Sequence, residues 1–392
     1  MALPAFRGEG RFLSYPGSRV GSVELTGAFV ELTGAEALAV RMRSLLLTPE
    51  KRAGDVAGVV EWFGAMQAQD MASGLWSLGA RLPGSTVAGI GAALERREAI
   101  RTWPMRGTVH LVPPRDAHWM LEVMGSRALA GATRRRETLG LPEGEADRAV
   151  EVLGAALRGG KRFTRAQCVE TLTAAGVDAS GQLAYHLLWF ASQRGVTCIA
   201  PHVGKEQTFV LLDEWVPDPH RPSRDEALAL IAVRYFRSHG PATRQDLARW
   251  TGLTLTDARR GIALAGDALT TVRVDGVEMH VDPALLEPGA EVPEWVALPG
   301  FDEYMLGYKD RDLLLDPAHF AAVVPGGNGV FRATLVERGR VAATWTRTLG
   351  KKAVIVDVVP LVPLKPAARR LASAALEPYA AFLGLPLEVR WP

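Results

Sequence analysis

Gly240-Pro241-Ala242-Thr243-Arg244-Gln245-Asp246 answers an earlier stretch, Gly159-Gly160-Lys161-Arg162-Phe163-Thr164-Arg165-Ala166-Gln167. In both, a glycine leads to a threonine and then to an arginine. Threonine is a good N-cap, because its hydroxyl accepts from a free backbone N–H in the first turn. The two helices so opened end near Gly176 and Gly252. A second helix follows each, at about 181–193 and 255–265. Each second helix leads into two short strands, 196–200 with 207–212 and 268–274 with 277–281. Asp275-Gly276 is a strong hairpin signal, since both positions of a tight hairpin turn need positive φ. Helix–turn–helix–hairpin is the winged-helix plan. Residues 35–112 can be laid on the same plan with the hairpin replaced or elaborated, and 224–238 supplies the lead helix of the last unit.

Beyond residue 293 the pattern changes. Residues 330–336, 339–346 and 353–358 read as antiparallel strands with a turn at Arg338-Gly339, and a final helix covers about 366–382. The expected fold class is α+β, with tandem winged-helix units followed by a small C-terminal β-barrel. The expected division is an N-terminal extension at 1–33, winged-helix units at 34–140, 141–222 and 223–292, and a barrel-like domain with a terminal helix at 293–392.

The 392 residues suffice for several domains and a large core. Apolar residues make up 48% and charged residues 22%, the balance of a folded soluble protein. No apolar run is long enough for a membrane span, and no leader pattern opens the chain. Cys168 and Cys198 form no C-x-x-C pair, so a reducing cytoplasm is the expected location. Net charge is only +2. Any nucleic-acid contact must then come from a local patch. His110 and His118 lack metal-ligand spacing, so neither a metal nor a cofactor is expected. Most of the ten tryptophans belong to the core, with one or two available as stacking surfaces.

Between two apolar helical stretches lies Met66-Gln67-Ala68-Gln69-Asp70. On extended backbone Gln67 and Gln69 point the same way. Two amides on one side can orient a small polar object such as a water, since each donates and accepts. Neighbouring glutamines at a helix end also commonly meet solvent or cap backbone groups. The strand region 99–112 carries Arg101, Arg106 and His110, and Pro113-Pro114 ends it.

Three motifs in order make the chain similar to a known family. They are Gly64-Ala65-Met66-Gln67-Ala68-Gln69, Met105-Arg106-Gly107-Thr108-Val109-His110-Leu111-Val112, and Pro299-Gly300-Phe301-Asp302-Glu303-Tyr304-Met305-Leu306-Gly307-Tyr308-Lys309-Asp310-Arg311. Over about 34–385 the sequence resembles the winged-helix DNA glycosylases typified by AlkZ and YcaQ. The resemblance implies winged helices and a barrel around a DNA channel. It implies monofunctional excision of N7-alkylated purines, including bulky adducts and, in some members, interstrand crosslinks. The partner would be double-stranded DNA containing such purines, bound by a monomer.

The resemblance also implies a catalytic Gln-x-Gln or Gln-x-Asp signature, onto which Gln67 and Gln69 fall. Asp70 is one residue too late for the carboxylate form. No lysine nucleophile is implied, so no Schiff-base step follows. Arg106, Arg134, Arg135, Arg165, Arg244, Lys351 and Lys352 are candidate DNA contacts, each also readable as a solvated surface residue. His110 is open between facing DNA and packing internally. Asp302 and Glu303 are expected to pair with Arg311 or another base. The competing reading is a winged-helix regulator without enzymatic activity. Against it, the second helices carry few of the side chains that read base edges. Whether such an enzyme serves general repair or self-resistance to a toxin stays open.

Overall fold

The computed structural model describes residues 30–50, 53–327 and 329–392. Most of the expected N-terminal extension, residues 1–29, lies outside the described residues. Val30–Leu32 forms a short strand parallel to Thr270–Val274, with Val30 opposite Val272.

The caps read from sequence are formed. Thr33, Thr164 and Thr243 each accept from the residue three positions on, and Glu36, Gln167 and Asp246 return the bond to the threonine N–H. These reciprocal bonds satisfy two otherwise orphaned donors at each helix start. They fix Gly34–Ser44, Arg165–Ala174 and Arg244–Thr251. The Asp275-Gly276 turn has positive φ at both residues, and Arg106-Gly107 and Arg338-Gly339 make the same kind of turn.

Winged-helix-like elements dominate the first three-quarters of the chain. Arg224–His239, Arg244–Thr251 and Leu255–Ala265 precede the hairpin of Thr270–Val274 and Val277–Val281. Upstream, Glu145–Ala156, Arg165–Ala174 and Gly181–Gln193 precede the hairpin of Thr197–Val203 and Glu206–Leu211. That hairpin shares one six-stranded sheet with an earlier one, Ile100–Met105 with Thr108–Val112, through the pairing of Arg101 with Ile199. Met66–Gln67 is an edge strand of this sheet and lies antiparallel to Thr108–Val112.

The C-terminal sheet corrects one expectation. It is an open half-barrel of five strands, not a closed β-barrel. Its order is Trp295–Leu298, Ala333–Glu337, Arg340–Leu349, Val354–Pro360, Leu387–Arg390, and the outer two do not pair with each other. The last strand runs parallel to its neighbour, so the sheet is not purely antiparallel. One face of the sheet is filled from outside. Trp345 lies 5.1 Å from Tyr379, which in turn lies 5.0 Å from Trp76 of the helix Met71–Gly79. The terminal helical region divides into Pro366–Ala374 and Glu377–Leu383, and the second carries Tyr379 and Phe382 onto this face. These aromatic side chains cover the face with large apolar area.

Trp103, Trp250 and Trp345 are among the largest fully buried side chains. One core runs from the first helices through Arg224–His239 into the C-terminal sheet, so these parts pack as a single body.

Candidate active site

The strand Met66–Gln67 sets the site. Gln67 is opposite His110, and the Ala68 N–H donates to the Val109 carbonyl at 2.9 Å. Backbone pairing stops there. The Gln69 side chain continues it, its Oε1 accepting from the Val109 N–H at 3.0 Å. Gln69 is exposed at the chain's exit from the sheet. Gln67 is only 9% exposed, and its Oε1 is enclosed with no donor among the described residues. A buried oxygen without a donor is costly, and such atoms call for an explanation. The two amides therefore differ in burial and in partners, although they are two residues apart.

Gln67 is held from behind. Glu303 Oε1 accepts the Gln67 peptide N–H at 2.8 Å. Glu303 Oε2 accepts from Trp250 Nε1 at 2.8 Å and faces His239 Nε2 at 3.4 Å. Burial alone would raise the Glu303 carboxyl. The hydrogen bond from His239, the fields of His239 and His110, and the Gln67 N–H outweigh it and hold the carboxyl down at about 2. At neutral pH a carboxylate with 1% exposure thus sits directly behind the strand.

The motif around Glu303 explains its own sequence. Phe301 has φ of 61°, a conformation that a bulky residue rarely adopts. A Cβ on Gly300 would come within 2.6 Å of the Phe331 carbonyl, and one on Gly307 within 2.2 Å of the His239 ring. The turn thereby aims Asp302 and Glu303 inward. Asp302 does pair with a base, but it is Arg81, through two bonds of 2.8 and 2.9 Å. Arg311 instead donates to the Met305 carbonyl and lies over the Phe331 ring.

His110 is fully buried. Its Nδ1 donates to the Thr108 carbonyl at 2.9 Å, which leaves Nε2 as the acceptor facing Arg106 Nη2 at 3.4 Å. Burial, then the Arg106 charge, lowers its pKa to about 4, against the smaller opposing pull of Glu303. His110 is therefore a neutral imidazole linking the strand to Arg106 on the exposed turn.

From that turn a groove extends in three adjoining concavities, the middle one basic. One of about 630 Å³ runs from Gly107 to Arg135, and one of about 600 Å³ holds Arg106, Arg127, Arg249 and Lys309. The third, about 870 Å³, is mixed in charge, with Arg244, Lys309 and Arg311 among Asp246, Glu278, Asp310 and Asp312. The first two share Ala128, and the last two share Gln245 and Lys309. Neither Gln67 nor Gln69 lines these concavities; the link runs through His110 and Arg106.

Of the candidate contacts, Arg106, Arg135 and Arg244 are thus brought together along one surface. Arg244 is half-buried with its Nε enclosed and unpartnered. Arg134 is exposed on Ala132–Thr138, beside Arg135. Arg165 borders a separate concavity with Lys205 and Glu206, across the helix Gly181–Gln193. Lys351 and Lys352 are exposed between the strands Arg340–Leu349 and Val354–Pro360. Sequence reading missed Arg127, Arg249, Lys309 and Arg311. Arg249 is five residues after Arg244 on the same helix, but no motif in the sequence marks it as facing the groove.

The fold and this groove suit a protein that works on nucleic acid. The chain belongs to the family described as DNA glycosylase AlkZ-like, whose model matches residues 60–382. It is 30% identical over 300 residues to an interstrand DNA cross-link repair glycosylase of Streptomyces sahachiroi, covering 72% of this chain and 77% of that one. Its fold is also that of the solved Streptomyces sahachiroi DNA glycosylase AlkZ. There the TM-score is 0.75 at 25% identity, over 93% of this chain and 100% of the other.

Proposed function

We propose that the chain is a monofunctional DNA glycosylase that hydrolyses the N-glycosidic bond of N7-alkylated purines, with bulky adducts and interstrand crosslinks in its range. It acts as a cytoplasmic monomer on double-stranded DNA, and three winged-helix units and the C-terminal half-barrel frame the DNA. No helix among the described residues is long and apolar enough to cross a membrane.

The observation that carries this reading is the pair of amides on and just past one strand end. Gln69 is oriented by the Val109 N–H, and Gln67 keeps a carbonyl oxygen without a donor. In the proposed reaction the Gln67 Oε1 accepts from the attacking water, and the Gln69 amide fixes the water's position. The N7-alkylpurine is cationic, so it leaves as a neutral base with the bond electrons. The water oxygen bonds to C1′, and its surplus proton passes to solvent. Glutamine is a weak base, so the effect is positional, which a labile leaving group permits. The buried Glu303 carboxylate adds negative field behind the strand, which favours a cationic sugar.

The test is release of free base by purified protein from duplexes carrying a methyl, a bulky or a crosslinking N7 lesion. Release of at least one with an abasic site left behind supports the reading. Tight binding without release from any of them would leave a DNA-binding protein and no glycosylase.

A further inference from the structure

Arg101 lies in the strand Ile100–Met105, separated from Met66–Gln67 by the strand Thr108–Val112, and is only 5% exposed. Burial lowers its pKa to about 10, against the opposing field of Asp70, so the guanidinium stays charged at neutral pH. Yet both of its hydrogen-bond partners are neutral acceptors. Nη2 donates to the Ala68 carbonyl and Nη1 to His202 Nε2, each at 3.1 Å. Its Nε is enclosed with no acceptor among the described residues. A buried cation held by neutral groups is costly to keep. His202 belongs to the strand Thr197–Val203 of the next hairpin. An arginine only donates, so Nε2 of His202 accepts and the ring is neutral. Burial, then the charges of Arg101 and Arg162, lowers the His202 pKa and favours that state.

We propose that Arg101 is a positioning residue for base excision, which sets the direction in which Gln69 leaves the sheet. The proposal rests on the glycosylase reading above. Strand pairing ends at the Ala68 N–H, bonded to the Val109 carbonyl. The next peptide plane carries the Ala68 carbonyl and the Gln69 N–H. Arg101 holds that carbonyl where a neighbouring strand otherwise would. A planar peptide fixed at its oxygen carries the Gln69 Cα with it. The helix Met71–Gly79 packs against the same residue, since a Cβ on Gly74 would stand 3.0 Å from Ala68 Cβ and 3.2 Å from its Cα. The residue between the two amides is thus held at its N–H, its carbonyl and its side chain. The other end of the guanidinium fork rests on His202, so the second winged-helix-like element backs the Gln67–Gln69 stretch.

The experiment is a double-mutant cycle on single-turnover release of N7-methylguanine, pairing Arg101→Lys with Gln69→Ala. Duplex binding is measured alongside, and hydrogen exchange is followed by mass spectrometry over residues 66–71. Lysine keeps the charge but not the planar fork that reaches two acceptors. The expected result is about tenfold slower release in Arg101→Lys, with binding within about twofold of wild type. In the Gln69→Ala background the same change should cost less than about twofold, because the residue it acts through is gone. Exchange over 66–71 should quicken, while that of 227–236, in the core helix Arg224–His239, stays as in wild type. His202→Ala, at a half-buried position, is the milder second variant and should repeat the pattern at about threefold. Equal slowing in both backgrounds, or none, would leave Arg101 a structural prop and overturn the proposal, as would unchanged exchange over 66–71 in both variants. If wild type releases no base, the glycosylase reading falls, while exchange over 66–71 still decides whether Arg101 holds the stretch.

Discussion

Glu303 Oε1 accepts the peptide N–H of Gln67 at 2.8 Å, across 236 positions of sequence. One carboxylate therefore ties the C-terminal part of the chain to the strand that carries the candidate catalytic amides. The same carboxylate accepts the Trp250 indole N–H at 2.8 Å, which draws the last winged-helix-like element into the bond set.

Glu303→Gln should disturb both stability and excision. An amide keeps one acceptor oxygen but turns an N–H₂ toward donors that now meet a carboxylate. The expected cost is on the order of 2 kcal/mol in urea unfolding, because a buried donor is left unpaired. Base release should slow by about tenfold or more. Unchanged values of both would show that Glu303 does not hold the strand.

His110 gives a pH signature. Its folded pKa is lowered to about 4 from 6.5, so between these values the unfolded chain binds more protons than the folded one. Stability should therefore rise from pH 4 to 6.5 and level off above. His186, His202 and His280 are also lowered and push the same way, so the test is a difference. His110→Gln should flatten the rise relative to wild type by up to about 3 kcal/mol over that window. An identical slope in both proteins would contradict the neutral, buried assignment.

The groove predicts a salt dependence. Arg106→Ala and Arg249→Ala should each weaken DNA binding and reduce the slope of log K against log salt by about 1. Arg165→Ala should leave that slope unchanged, since Arg165 borders a different concavity. The reverse pattern would move the DNA path to the other side of the helix Gly181–Gln193.

Asp302→Ala should be strongly destabilising. It strands the Arg81 guanidinium, whose side chain is 0% exposed, without its carboxylate. Removing one partner of a buried pair costs about 3–5 kcal/mol. Urea unfolding measures it, and a loss under about 1 kcal/mol would mean that the Ser77 and Leu45 oxygens suffice for Arg81.

What was legible in sequence was local. Thr33, Thr164 and Thr243 announce their helices because a cap and its return bond lie within four residues. Asp275-Gly276 announces its hairpin because the turn's φ requirement falls on adjacent residues. What was missed depends on distant partners. Val30–Leu32 has no period of its own and exists as a strand because Val272 lies beside it. A C-terminal barrel is what the family resemblance implies, but the sheet stays open, and Trp76 and Tyr379, far apart in sequence, pack together on its face. The Gln67 and Gln69 pair was visible as a motif. Their unequal burial was not, since it depends on where the pairing with Val109 ends.

The central claim is that Gln67 and Gln69 position the attacking water. Single-turnover release of N7-methylguanine by wild type and by Gln67→Ala/Gln69→Ala tests it most directly, with duplex binding measured alongside. The account predicts a rate lower by about 10²-fold or more in the double variant, with binding within about twofold of wild type. An unchanged rate at unchanged binding would contradict it.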